Sequence, residues 1–346
     1  MPRIGIVVNP SAGKDVRRII GYASVVDNIE KIEILRRILV GILQFDVKEL
    51  HFMPDVFDFA DKTLDSLKKT DLENVASKVQ VLPFEPIGEA ADSTRAGAMM
   101  NAMGLDCIIV LGGDGTSKAV AAGCGKTPML PISTGTNNVF PYRIDGTVAG
   151  LIAGAYATAL GDVPGTLLEQ NMFNVYINNR LVNHALVDVV LYHEPFISSR
   201  AMWEPEKVLF VAISRRIGEP VVGMASIAQA AMCRLRRGAL GFACYVGTED
   251  AKMRVLTPIA PGLVREIPIA RCKGLVAGRR YRVNPDLPAK WCTVSVDGER
   301  ENEVDMEKDV VEIELVEKAV RVLNPASIYS LVLKRGLLRK SGRKPS

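Results

Sequence analysis

The stretch Cys107-Ile-Ile-Val-Leu-Gly-Gly-Asp-Gly-Thr116 decides the fold of this 346-residue chain. Residues 107–111 form a continuous apolar run, which is typical of a strand that is buried on both faces of a parallel sheet. Glycines and one aspartate follow the strand, and a helical pattern begins at Ser117. The motif therefore lies at the carboxyl end of a strand, where open α/β sheets bind their ligands.

Glycine dominates the turn after this strand. Gly112, Gly113 and Gly115 allow backbone N–H groups to approach a phosphate closely, and they permit positive φ. A carboxylate at Asp114 is unfavourable among phosphates unless it binds a metal or accepts a proton from a substrate hydroxyl. The alternative interpretation is a tight turn in which Asp114 or Thr116 caps the following helix.

Two further loops occupy the same position after a predicted strand. Residues 9–14, Asn-Pro-Ser-Ala-Gly-Lys, follow the strand-like run at 3–8 and offer a hydroxyl donor and a cation to a polyphosphate. Residues 133–138, Ser-Thr-Gly-Thr-Asn-Asn, are rich in hydroxyl and amide donors. Plain turn chemistry explains each loop taken singly. Together, three loops after three strands predict one phosphate site at a common edge of a parallel sheet.

The pattern changes near residue 165, from alternating strands and helices to closely spaced strands. We therefore predict an α/β domain with a parallel sheet, which binds nucleotide, at residues 1–160, and a β-rich domain, which binds the acceptor, at residues 161–324. Residues 325–346 could return to the first domain. The predicted strands of the first half cover 3–8, 46–52, 78–83, 107–113 and 128–133, and its helices cover 29–43, 55–69, 92–104 and 117–123.

Composition excludes several classes of protein. With 48% hydrophobic and 24% charged residues the chain is globular, and no apolar run approaches the roughly 18 residues of a membrane span. The N-terminus lacks a signal-peptide pattern, so we expect a cytoplasmic protein without a membrane partner. Six scattered cysteines and three histidines argue against structural zinc and disulfides, and we predict no metal held by the protein alone.

Charge points to small anionic ligands. The formal net charge of +4 permits such a ligand and does not require nucleic acid, which we do not expect as a partner. The sequence leaves open whether the chain forms a homo-oligomer. The basic C-terminal tail is interpreted as solvated, with a phosphate or nucleic-acid contact as the alternative; its cations are Lys334, Arg335, Arg339, Lys340, Arg343 and Lys344.

Two familiar nucleotide motifs are absent. Gly125-Lys126-Thr127 resembles the end of a P-loop, but the pattern needs glycine six residues before the lysine, where Val120 stands. Pro128 would also block the helix that should follow. The first strand–helix turn lacks G-x-G-x-x-G, which argues against a dehydrogenase that transfers hydride.

The loops carry a resemblance to the superfamily of NAD kinases, diacylglycerol kinases and sphingosine kinases. Within it, the chain is most similar to the ATP-NAD kinase-like branch that includes acetoin catabolism protein X. The similarity covers the first 145 residues, extends to about residue 205 and is looser beyond. It is carried by RIGIVVNPSAGKD (3–15), DSTRAGAMMNAMGLDCIIVLGGDGTSKAV (92–120), ISTGTNNVFP (132–141) and ALVDVVLYHEPFISSRAMW (185–203).

The resemblance implies transfer of a phosphoryl group from ATP, or another polyphosphate, to a hydroxyl of NAD or a related small molecule. Mg²⁺ would bridge the donor phosphates, and Asp114 would accept the hydroxyl proton. The residues that match the family's phosphate contacts are Asn9, Ser11, Gly13, Lys14, Gly112, Gly113, Gly115, Thr116, Gly135, Thr136, Asn137 and Asn138.

The acceptor is less defined than the donor. NAD kinases carry Asn-Glu where this chain has Val187 and Asp188, and lipid kinases carry Gly-Thr-Gly-Asn-Asp in the third loop. Asp188 and Arg200 are the candidate acceptor contacts. A nucleotide-binding sensor that has lost catalysis and a lipid kinase of the same superfamily remain alternatives.

Two structural expectations concern the second half. Treated as one strand, residues 180–193 would place His184, Leu186 and Asp188 on the same face. Asp297-Gly298 is expected to form a hairpin turn.

Overall fold

The computed structural model describes residues 1–11, 26–68, 73–135, 138–194, 204–214, 221–232, 239–283 and 290–339. The strands are β1 Arg3–Val8, β2 Glu49–Phe52, β3 Val79–Val81, β4 Cys107–Gly112, β5 Met129–Ser133, β6 Leu167–Ile177, β7 Arg180–Ala185, β8 Asp188–Tyr192, β9 Val208–Ser214, β10 Gly241–Val246, β11 Met253–Ala260, β12 Leu263–Leu275, β13 Arg280–Arg282, β14 Trp291–Val296, β15 Glu299–Asp305 and β16 Val311–Leu323. The helices are α1 Asn28–Ile42, α2 Phe59–Leu67, α3 Ala90–Ala102, α4 Asp114–Gly123, α5 Gly146–Ala155, α6 Ala225–Ala231 and α7 Pro325–Lys334.

The first sheet has nine strands in the order β3-β2-β1-β4-β5-β16-β6-β7, with β13 paired to β16. Strands β1 to β5 are parallel to one another, as the predicted α/β fold requires. All six residues of β4 are buried because helices cover both faces of the sheet. Helices α3 and α4 pack on one face, and α1, α2, α5 and α7 pack on the other. The buried apolar run that begins at Cys107 is explained by this double cover.

The second sheet has seven strands in the order β11-β12-β10-β9-β8-β14-β15, and all of its pairs are antiparallel. Apolar side chains from β6 and β16 of the first sheet form a shared core with side chains from β9, β10 and β14 of the second. The prediction of an α/β half followed by a β-rich half is confirmed.

The chain crosses between the sheets more often than a boundary at residue 160 implies. Strands β6, β7 and β16 extend the first sheet, and α7 packs against α5 beside it. Backbone hydrogen bonding therefore continues through both halves, and the two domain boundaries remain predictions. No helix among the described residues is both long and apolar enough to cross a bilayer.

The segment 180–193 is two strands, not one. β7 belongs to the first sheet and β8 to the second, and the chain passes between the sheets at Leu186 and Val187. The expected common face for His184, Leu186 and Asp188 is therefore wrong, because strand alternation holds only within one continuous strand. The helix predicted from residue 92 also begins earlier, at Ala90. Asp92 lies in the first turn of this helix, and its carboxylate accepts hydrogen bonds from the backbone N–H groups of Ile87 and Gly88.

Candidate active site

The three predicted loops lie side by side. β1, β4 and β5 are adjacent parallel strands, so their carboxyl ends meet at one edge of the first sheet. The Asn9 amide donates a 2.9 Å hydrogen bond to the Thr116 hydroxyl, which joins the first loop to the second. The Thr134 N–H donates to the Gly112 carbonyl at 3.3 Å, which joins the second loop to the third. The structure thus places the described parts of all three loops at a common site.

The glycines of the second loop are required for space. Neither Gly112 nor Gly113 has positive φ, so that expected reason for glycine is wrong. A Cβ on Gly112 would lie 2.6 Å from the Thr116 Cβ, and one on Gly113 would lie 2.8 Å from the Asn138 Oδ1. The Thr116 and Asn138 side chains therefore pack directly against Gly112 and Gly113, and a larger residue at either glycine would displace them.

Asp114 is the first residue of α4, and its carboxylate organises the third loop. It accepts hydrogen bonds from the backbone N–H groups of Val139, at 3.1 Å, and Phe140, at 2.7 Å. The residue is only 9% exposed. The N-terminal position favours a negative charge because of the helix dipole. In this conformation Asp114 fixes the loop that follows β5, and its role as a proton acceptor stays a prediction.

A compact hydrogen-bond network shapes the third loop. The Ser133 hydroxyl donates to the Gly135 carbonyl at 2.8 Å and accepts from the Asn138 side-chain amide at 2.9 Å. Asn138 in turn lies directly against Gly113. Asn138 therefore joins the third loop to the second, and the phosphate contacts of Gly135 and Asn138 stay a prediction.

A buried lysine supports the first loop. Lys31 of α1 has no exposed surface, and its ammonium donates to the carbonyls of Asn9, at 3.0 Å, and Pro10, at 2.9 Å. The Ser11 N–H donates to the Asn9 side-chain oxygen at 2.8 Å, which tightens the turn. The buried charge gives this loop a positive potential that suits an anion. Sequence reasoning missed Lys31, because one lysine in an amphipathic helix gives no signal of its own.

The β14–β15 hairpin faces these loops from the second sheet. Asp297 and Gly298 both have positive φ, at 51° and 80°, and form the predicted hairpin turn. The Asp297 carboxylate also accepts hydrogen bonds from the N–H groups of Leu186, at 3.0 Å, and Val187, at 2.7 Å. Burial raises the pKa of Asp297, and the charge of Lys118 together with these N–H bonds opposes that shift. The aspartate therefore both turns the hairpin and anchors it to the crossing between the sheets.

Two acidic side chains of β15 reach α4. A carboxylate oxygen of Glu299 lies 3.6 Å from the position that a Cβ on Gly115 would occupy. The Glu301 carboxylate forms a 3.1 Å ion pair with Lys118 of α4. These contacts join the helix that follows the glycine-rich turn to the second sheet. Sequence reasoning missed Lys118, Glu299 and Glu301 as a group, although the four-residue spacing from Asp114 to Lys118 does indicate a common helix face.

His184 of β7 lies close to the same lysine. Its Nδ1 is 2.8 Å from the Asn174 side-chain oxygen, and the ring is part-buried. Burial lowers the pKa of His184 below its usual 6.5, and the charge of Lys118 lowers it further. His184 is therefore neutral at pH 7 in the folded protein.

This electrostatic link makes a testable prediction. Lys118→Met is expected to raise the pKa of His184, because it removes the nearby positive charge. NMR titration can follow the ring directly, since the chain has only three histidines. The wild-type protein should also lose stability as the pH falls through 6.5, because the unfolded state then binds protons that the folded state does not. An unchanged His184 titration in the variant would show that Lys118 does not act on this ring.

The remaining predicted site residues divide into two groups. Asp188 is buried at the start of β8, where its backbone carbonyl accepts from the Asp297 N–H at 3.1 Å, so it stands next to the hairpin. The other predicted contacts lie outside the described residues; they are Gly13, Lys14, Thr136, Asn137 and Arg200.

A cavity of about 630 Å³ opens where the chain leaves β2 and β3. Because β2 is parallel to β1 and neighbours it, this cavity lies at the same edge of the sheet as the first loop. Its walls combine apolar side chains with carboxylates, which accept hydrogen bonds from amino groups. The lining residues include Met53, Asp55, Val56, Asp58, Asp61 and Phe84.

The donor set for a metal is sparse. Within the described ranges, no group of three or more His, Cys, Asp or Glu side chains could hold a metal ion. Mg²⁺ on a polyphosphate needs only one or two carboxylates, because phosphate oxygens and water supply its other ligands. Glu299, whose carboxylate lies against Gly115, is a carboxylate of this kind and fits a phosphate-borne Mg²⁺.

Each half of the chain matches the model of a known protein family. Residues 4–142 match the ATP-NAD kinase N-terminal domain, and residues 171–318 match the acetoin catabolism protein X C-terminal domain. Acetoin catabolism protein X of Cupriavidus necator is 32% identical over 306 residues, which cover 87% of this chain and 84% of that protein. The N-terminal half is therefore of the NAD kinase type.

Solved structures give a weaker likeness. Two structures of a candidate diacylglycerol kinase from Bacillus anthracis str. Sterne share 14% and 13% identity with the chain. Their TM-scores are 0.39 and 0.37; both cover 94% of this chain, which in turn covers 97% and 99% of theirs.

Proposed function

Because the chain belongs to the acetoin catabolism protein X family, with an N-terminal half of the ATP-NAD kinase type, we propose that it is a phosphotransferase. ATP, or another polyphosphate, donates the phosphoryl group, and a hydroxyl of NAD or a related small molecule accepts it. Both substrates are small molecules that bind in the cleft between the three loops and the β14–β15 hairpin.

The meeting of three polar loops at one edge of the parallel sheet carries this proposal. Phosphoryl transfer depends mainly on positioning and charge stabilisation, which loops of this kind supply. Because α4 begins at Asp114, directly after β4, the N–H groups of its first turn lie at the edge where the loops meet. The joined side chains of Asn9 and Thr116 fix two loops relative to each other before any ligand binds.

The donor binds with its phosphates at these loops and its base in the neighbouring cavity. The carboxylates of that cavity suit the amino group of a purine, and its apolar side chains suit the ring. A phosphate-borne Mg²⁺ would neutralise charge on the donor phosphates, and Glu299, beside Gly115, is the residue that would hold it. Asp114 accepts the proton of the acceptor hydroxyl as the new bond to phosphorus forms.

One observation favours a second function, a nucleotide sensor without turnover. The Asp114 carboxylate already accepts hydrogen bonds from two backbone N–H groups of the third loop. A carboxylate held in this way is a weaker base, because these bonds stabilise its charged form. If the loop keeps both bonds when ligands bind, the protein binds nucleotide without consuming it.

A substrate panel separates the two functions. The purified chain is incubated with Mg²⁺ and either ATP or polyphosphate, together with NAD, NADH or simple diols, and transfer of labelled phosphate is measured. The phosphotransferase predicts donor consumption that depends on both acceptor and Mg²⁺, with acceptor-free and Mg²⁺-free reactions as controls. Binding of ATP by calorimetry with no consumption in any reaction favours the sensor. Absence of nucleotide binding contradicts both functions.

A further inference from the structure

Lys118 and Glu301 form an ion pair between the helix that follows the glycine-rich turn and the second sheet, beside the proposed substrate cleft. We propose that Lys118 is an additional phosphate-binding cation and that Glu301 holds it only while the cleft is empty. A bound polyphosphate then takes the ammonium from Glu301. This inference rests on the proposed function, because it assigns a further ligand contact to the same cleft.

Helix geometry places the ammonium on the correct side. Lys118 follows Asp114 by four residues in α4, so the two side chains lie on the same face of the helix, one turn apart. That face is turned toward the third loop at Asp114 and toward β15 at Lys118. Lys118 therefore borders the space between the glycine-rich turn and the hairpin.

The partner carboxylate is aimed by an irregularity in the strand. Val294 pairs with Asn302 and Ser295 pairs with Arg300, so Glu301 is the additional residue of a β-bulge. Bulges redirect side chains and are frequent beside active sites. The bulge leaves Glu301 without a residue directly opposite it on β14, and the Glu301 side chain reaches Lys118 of α4.

The partial exposure of the ion pair allows a ligand to replace Glu301 as the partner of Lys118. The Lys118 and Glu301 side chains are 15% and 25% exposed, so solvent and ligand can reach both. A pair that solvent reaches costs less to break than a pair that is sealed in the interior. The charge of Lys118 also acts to lower the pKa of His184, in addition to burial, and that of Asp297, against the effect of burial.

Charge decides which partner Lys118 prefers. A polyphosphate carries several negative charges and many acceptor oxygens, whereas Glu301 offers a single charge. The Glu301 carboxylate would also repel an approaching phosphate, so the two anions compete for one ammonium. Removing the cation and removing its competitor should therefore change phosphate affinity in opposite directions.

Calorimetric titration with MgATP and with inorganic tripolyphosphate measures this difference. Lys118→Met should weaken both ligands at least about tenfold, the effect of losing one charged hydrogen bond. Glu301→Gln should strengthen both about two- to fivefold, because the competing charge is gone. Lys118→Arg should retain most of the affinity. Lys318→Met and Glu169→Gln, which break an exposed pair elsewhere in the first sheet, should change neither.

The outcomes separate this inference from the proposed function. If wild type binds the probes and both Lys118→Met and Glu301→Gln weaken binding, the ion pair only supports the structure of the site and the inference is wrong. An unchanged affinity in Lys118→Met overturns it as well. If wild type binds neither probe, the proposed function and the inference fail together. Thermal unfolding of each variant checks that it is folded before titration.

Discussion

Asp114→Asn is expected to lower phosphoryl transfer by about two to four orders of magnitude, the usual contribution of a general base. Asparagine keeps one oxygen for the N–H groups of Val139 and Phe140, but it carries no charge and cannot accept the substrate proton. We therefore expect the fold to survive with a loss of about 1 kcal/mol, because charge-assisted hydrogen bonds become neutral ones. Initial rates and urea unfolding measure the two effects.

The matched control is Asp145→Asn. Asp145 caps α5 by accepting a 2.8 Å hydrogen bond from the Thr147 N–H, and asparagine is an equally good cap. Its rate should match that of wild type. Calorimetry of Asp114→Asn separates the two roles of Asp114. If the carboxylate acts only as a base, its loss leaves the ATP affinity unchanged. If it also organises the third loop, its loss changes the ATP affinity. Full turnover by Asp114→Asn would show that Asp114 does not accept the substrate proton.

Gly123→Ala is expected to destabilise the protein by about 3 kcal/mol. Gly123 ends α4 where α4 crosses α3, and a Cβ there would lie 2.1 Å from the Thr94 carbonyl oxygen and 2.9 Å from the Ala98 nitrogen. Both atoms belong to the backbone, so the two helices must move apart. The Thr94 hydroxyl also donates to the Ala119 carbonyl at 2.8 Å, and that bond would be strained by the separation.

Gly161→Ala is the control for this prediction. Gly161 has φ −55° and ψ −38°, and an added Cβ would have only ordinary contacts. Gly161→Ala should leave the free energy of unfolding unchanged or raise it by up to about 1 kcal/mol, because alanine restricts the unfolded chain. Urea unfolding of both variants compares them directly. Equal stabilities would mean that α3 and α4 do not approach as closely as described.

Local sequence patterns predicted the parallel half of the molecule because its signals are short-range. The buried run at β4 and the turn residues after β1, β4 and β5 are each contained within a few positions. Once the strands are taken as adjacent and parallel, their loops must share an edge. Asp188, at the start of β8, could not be placed in this way, because β7 and β8 look continuous in sequence and separate only in the tertiary fold.

Long-range partners were beyond sequence reasoning. Asp114 is held by N–H groups 25 and 26 residues away, and Lys118 pairs with a carboxylate 183 residues away. Pairing of β16 with β5 and β6 likewise depends on how the chain returns to the first sheet. Periodicity reports which face of an element is buried and does not identify its partner.

A crystal structure of the chain with Mg²⁺ and a non-hydrolysable ATP analogue tests the central claim most directly. The account predicts the triphosphate at the edge shared by Asn9, Gly113 and Asn138, with the base toward the cavity beside β2. A nucleotide whose phosphates bind away from these three loops would contradict it.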